Sequence, residues 1–92
     1  MTTSWEELVQ KIKDRLDIVE VVSEQVVLKK RGNNYWGLCP FHKDKNPSFC
    51  VTPSLGIYKC FSCGEAGDSL KFLMKTKNLE FKELIYELAD KY

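Results

Sequence analysis

The chain has 92 residues, 14 basic and 13 acidic side chains for a formal net charge of +1, and 43% apolar residues. A chain this short buries a smaller share of its surface than an average enzyme domain, and often needs a metal or disulfides to hold a defined fold. No apolar run approaches the length of a membrane-spanning helix, and the segment MTTSWEELVQ lacks the basic-then-apolar order of a secretory leader, so a cytoplasmic protein with no membrane partner is expected. There thiols stay reduced, and clustered cysteines read as a metal site before they read as disulfides.

Ser4, Trp5, Glu6 and Glu7 form the S-x-x-E pattern of a capping box, and Trp5, Leu8, Val9, Ile12 and Leu16 follow on one helical face. Asp17 to Glu20 repeats the capping signal and predicts a brief second helix, after which β-branched Val26 and Val27 predict extended chain. Gly32, Asn33 and Asn34 tolerate left-handed backbone, so residues 25–38 are expected to form a β-hairpin. Residues 48–52 and 55–59 read as two further strands around Pro53, Ser54 and Gly56. Beyond Cys63, Gly64 and Gly67 mark an irregular stretch, Asp68 is placed to cap a helix carrying Leu70, Leu73 and Met74, and Phe81, Leu84, Ile85, Leu88 and Ala89 predict a last amphipathic helix packed on the sheet. The whole chain, 1–92, is read as one small α+β domain whose antiparallel sheet of four to five short strands is flanked by N-terminal and C-terminal helices.

Two ligand pairs stand out. Cys39 and His42 enclose two residues, as do Cys60 and Cys63, and tight turns of that spacing bring two donors at a time to about 2.0–2.3 Å from one tetrahedral ion. Four protein ligands leave no open position, so one structural Zn²⁺ is expected, supplying on the order of 10 kcal/mol to folding. Two alternatives use the same residues: a redox dithiol at Cys60 and Cys63, for which the βαβ context is missing, and an iron-sulfur cluster with Cys50 in place of His42. Cys50 lies alone in a strand-like run and is expected to be a partly buried, unligated thiol.

The charge is uneven. Residues 1–28 carry −3, residues 29–63 carry +5 and residues 64–92 carry −1. Within the basic third, Lys29, Lys30, Arg31, Lys45 and Lys59 interleave with aromatic residues, a composition that suits single strands: cations follow the phosphates while rings stack on unpaired bases. Phe41, Phe49 and Phe61 are assigned to the core around the metal, and Tyr35, Trp36 and Tyr58 to exposed positions, with the reservation that Tyr35 and Trp36 must point to opposite faces of a strand. The candidate DNA contacts are thus Lys29, Lys30, Arg31, Tyr35, Lys45, Tyr58 and Lys59. The one histidine is committed to metal and no carboxylate cluster is spaced for two Mg²⁺ ions, so the 92 residues alone are not expected to be an enzyme.

The residues Asp17 to Val22 and Leu28 to His42 resemble the amino-terminal zinc-binding domain of bacterial DNA primase, the DnaG type, and the likeness continues through Lys45 to Phe49, Tyr58 to Gly64, Gly67 with Asp68, and Phe72 to Met74. The resemblance implies a zinc ribbon that recognises single-stranded template DNA in support of RNA primer synthesis. It also implies partners: a Toprim-type RNA polymerase domain, in cis or in trans, and the replicative helicase through the full-length protein. The sequence departs from that pattern at Cys50, where the family has Ser, Thr or a similar residue, and at Asn33, a common Lys or Arg position whose charge here stands at Arg31. A second reading is a zinc-stabilised protein-interaction module that docks on the polymerase domain or helicase.

Overall fold

The structure is a computed structural model that describes residues 4–43 and 45–91. Helix α1, Trp5–Arg15, starts where Ser4 Oγ accepts the Glu7 backbone N–H at 3.2 Å, and its apolar stripe buries Ile12. Asp17 caps α2, Ile18–Ser23, by accepting from the N–H groups of Val19 and Glu20 at 2.9 and 3.4 Å. The helical turn then runs on: Gln25 and Val26 both donate to the Val22 carbonyl at 2.9 Å, so neither amide is available to a ladder. That is why the first hairpin is shorter than expected. It consists of β1, Lys29–Arg31, and β2, Asn34–Gly37, joined by Gly32 and Asn33. Only Gly32 of that loop has a positive φ, 64°, the conformation a two-residue turn requires at its first position when built as type II′.

Strands β3, Phe49–Thr52, and β4, Ile57–Cys60, follow as a second hairpin, and β5, Ala66–Asp68, adds a short edge in the stretch expected to be irregular. The sheet is an antiparallel meander in the order β1-β2-β3-β4-β5. Asp68 ends it and caps α3, Ser69–Lys77, by accepting the Lys71 N–H at 2.9 Å; Asn78, left-handed at φ 54°, closes that helix.

The register sorts the side chains. Tyr35 pairs with Val51 and Val51 with Tyr58, so these share one face with Phe49 and Cys60. On that inner face Phe49, Val51, Tyr58 and Cys60 are fully buried, and together with Phe72 of α3 and Ile18 and Val22 of α2 they belong to one hydrophobic cluster. The rings of Phe49 and Tyr58 stack at 5.2 Å, and Phe72 meets Tyr58 edge-on at 5.6 Å. Helix α4, Phe81–Lys91, corrects an expectation. It buries Leu84, Ile85 and Leu88 chiefly against α1 and α3, while α3, through Phe72, is the helix whose ring meets Phe49 and Tyr58 of the sheet.

Candidate metal centre and outer sheet face

The first knuckle is the turn that follows β2, and the second begins at the last residue of β4. The sulfur atoms of Cys39, Cys60 and Cys63 and a ring nitrogen of His42 all lie within 4.8 Å of one another, and Cys39 Sγ to Cys63 Sγ is 3.9 Å. Two thiolates on a tetrahedral Zn²⁺ with bonds of about 2.3 Å stand about 3.8 Å apart, so the donor set fits the ion. Three sulfurs and one imidazole close the shell, and the zinc is structural. Cys50 is not in this group, which leaves the iron-sulfur alternative without its fourth thiolate.

Local backbone builds the second knuckle. The Cys60 N–H donates to Glu65 O and the Gly64 N–H to Cys60 O, both at 2.8 Å, with Gly64 at φ 82°; Cys63 N–H points at Cys60 Sγ from 3.5 Å. Cys39 and Cys60 are buried while Cys63 is exposed. In the absence of a cation, burial pushes the Cys39 thiol up to about 12. Burial acts on Cys60 in the same sense, but hydrogen bonds to its sulfur, from the backbone N–H groups of Cys63 and Ser62 and from the neighbouring thiols of Cys63 and Cys39, together hold that thiol below its usual value. Lys75 of α3 joins the two knuckles: its ammonium pairs with Glu65 of the second and lies 5.2 Å from the Phe41 ring of the first. The hydrogen bond from Lys75 is the main reason the Glu65 carboxyl titrates below its ordinary value.

The outer face of the sheet has a different composition. Lys29 pairs with Trp36, Trp36 with Cys50, and Cys50 with Lys59, so these four share the face turned away from the core cluster, and Arg31 joins them by alternation along β1. Phe61, expected in the core, is instead 62% exposed and stacks on Trp36 at 5.8 Å with ring planes 24° apart. Lys59 Nζ lies 5.2 Å from the Phe61 centroid. This stack reaches from β4 to β2 across β3, which explains how Cys50, on the outer face, is only 5% exposed without belonging to the core.

The candidate DNA residues are therefore split. Lys29, Arg31 and Lys59 are exposed on the outer face; Lys30 is exposed but alternates to the other side of the edge strand, and Lys45 is exposed in the loop before β3. Tyr35 is half-buried and packs against the core. Tyr58, expected to be exposed, is fully buried on the inner face, where burial and then the carboxylates of Glu65 and Asp68 raise its phenol, and its hydroxyl has no hydrogen-bond partner among the described residues. The sequence does hold a signal for this: Tyr58 lies two residues from the buried ligand Cys60 on one strand and must share its face, while Phe61 follows that ligand and turns away from it.

Known proteins resemble the whole of this arrangement. The family model described as CHC2 zinc finger matches residues 4–92. A DNA primase of Clostridium acetobutylicum is 58% identical over 86 residues, 94% of this chain and 14% of the relative, and one of Thermotoga maritima is 49% identical over 83 residues, 90% of this chain and 15% of the relative. The crystal structure of the Aquifex aeolicus primase, comprising zinc-binding and RNA polymerase domains, superposes on all of this chain with a TM-score of 0.85 and 41% identity, over 22% of its own length. The chain thus spans about a seventh of the curated relatives cited here. With its Cys3His site, its five-stranded meander and these matches, the chain belongs to the CHC2 zinc finger family as a zinc-binding domain of DNA primase.

Proposed function

We propose that the outer face of the sheet holds single-stranded template DNA and thereby supports RNA primer synthesis by a separate catalytic domain. One observation carries the reading: three cations, Lys29, Arg31 and Lys59, share the outer side of the sheet with the stacked rings of half-buried Trp36 and exposed Phe61. Cations that neutralise phosphates beside aromatic faces that accept unpaired bases are what sequence-tolerant single-strand binding needs, each stacked base contributing about 1–3 kcal/mol. Lys45 and Lys30 extend the positive field around that face. The zinc ties β2 to β4 across β3 at one end of the face, since Gly37 and Cys60 flank Phe49 in register, the Cys39–His42 turn follows β2 and Cys60 ends β4. The catalytic RNA polymerase domain, in cis or in trans, and a helicase reached through a longer protein are the proposed partners, in a bacterial cytoplasm.

The test is fluorescence anisotropy of zinc-loaded protein with labelled single-stranded DNA at low salt, competed by duplex DNA and by RNA. Single strands are expected to bind best, and Lys29→Glu with Arg31→Glu is expected to remove binding while zinc content is unchanged. Binding that survives the double change would rule out the outer face.

A second reading has its own observation. Trp5, Phe81 and Tyr86 are exposed and meet edge-to-face, Trp5 to Phe81 at 6.4 Å and Trp5 to Tyr86 at 5.9 Å, far larger apolar side chains than a solvated helix pair needs. This cluster on α1 and α4 suits protein docking, and its use would leave the outer sheet face available to DNA.

A further inference from the structure

We propose that a groove beside Trp36 is a slot for a single unstacked base of the strand, with the adjoining phosphates held by Lys29 and Arg31. This rests on the reading that the outer face carries single-stranded DNA and adds to it a defined pocket. The groove encloses about 310 Å³ and is lined by Val27, Leu38 and Pro47 together with Trp36, and by Lys29 and Arg31. That volume is at the small end of ligand sites and suits one planar group, not a folded domain.

Val27 is 84% exposed and Leu38 50% exposed, and neither belongs to the buried core cluster. Two large apolar side chains left in water beside an aromatic ring have no structural use there, whereas a nucleobase would cover them. The cations decide the kind of occupant. Lys29 is the register partner of Trp36, and Arg31, two residues along β1, lies on the same face, so positive charge runs along one side of the apolar slot, as phosphates run along one side of a row of bases. Gly37 holds the wall in place. A Cβ there would come within 2.7 Å of both Val26 Cγ1 and the Val27 carbonyl oxygen, so glycine is what lets the Val27 segment lie against β2. The walls offer an apolar surface and few polar side chains, so the slot is expected to favour bases by stacking area and not by their hydrogen-bonding pattern.

The test crosses a protein change with a DNA change. Zinc-loaded wild type and the double variant Val27→Asn with Leu38→Asn are titrated with labelled oligothymidylate and with an abasic oligonucleotide carrying the same phosphates. Both altered residues are exposed, and equal zinc content and equal melting temperature confirm that the variant is folded. Wild type is expected to lose tenfold or more in affinity on the abasic strand, and the variant's loss is expected to be smaller by about tenfold, one base stack's share. If the variant retains the full abasic penalty, the base sits elsewhere and the slot is overturned while the outer-face reading stands. If wild type binds neither strand at low salt, both readings fall together. If intact and abasic strands bind wild type equally, phosphates alone are recognised and the slot is overturned.

Discussion

The two faces of one small sheet differ as sharply as two proteins. Inward, Phe49, Val51, Tyr58 and Cys60 are fully buried and hold the zinc and the helices together; outward, Lys29, Arg31 and Lys59 stand around the Trp36 and Phe61 pair. Strand alternation alone produces the separation, because neighbouring residues point to opposite sides. On the proposed reading, stability and DNA binding fall to different residues of one sheet, so substitutions should divide cleanly between loss of fold and loss of binding.

The largest effect lies inside. Removing zinc by chelation, or Cys60→Ser, should cost on the order of 10 kcal/mol and abolish cooperative melting followed by circular dichroism. Phe72→Ala, which removes the ring that meets the stacked pair Phe49 and Tyr58 edge-on, should cost about 3–5 kcal/mol by urea denaturation. On the outer face the pattern reverses. The milder neutralisation Lys29→Gln with Arg31→Gln should leave the melting temperature within a degree or two of wild type, yet lower the slope of log affinity against log salt by about 1.4, two phosphate contacts' worth on a single strand. Tyr58→Phe sharpens the division. Because the buried hydroxyl has no partner among the described residues, its removal should leave DNA affinity unchanged and stability unchanged or raised by about 1 kcal/mol. The smallest effect is expected for Glu65→Gln. The Glu65 carboxyl titrates below its ordinary value, so its contribution is present at neutral pH and fades as pH falls through that lowered value; at neutral pH the change should cost less than about 1 kcal/mol, since the Lys75 partner is partly exposed.

Much of this was legible in the chain itself. The ligand pairs and the capping residues Ser4, Asp17 and Asp68 declare themselves because each works through its immediate neighbours in sequence. What depended on tertiary placement was harder to read. Ala66, Gly67 and Asp68 contain no strand former, and they become β5 only because β4 offers a free edge. Val26 and Val27 have strand propensity, but the turn continuing from α2 claims the Val26 amide. Helix α4 showed its apolar stripe, though not that the stripe would meet α1 and α3, with α3 facing the sheet. Among the aromatic residues, composition suggested which could stack on bases, whereas their faces follow from placement: Tyr58 shares the inner side with the ligand Cys60 two residues on, and the contact with Trp36 puts Phe61 outside.

The most direct test uses the two tryptophans, which lie on different surfaces: Trp36 on the outer sheet face and Trp5 in the aromatic cluster of α1 and α4. Each gives one indole N–H signal in a nitrogen-15 correlation spectrum of the zinc-loaded protein. Titration with single-stranded DNA should shift the Trp36 signal and leave Trp5 in place, and a shift confined to Trp5 would contradict the assignment of DNA to the outer face.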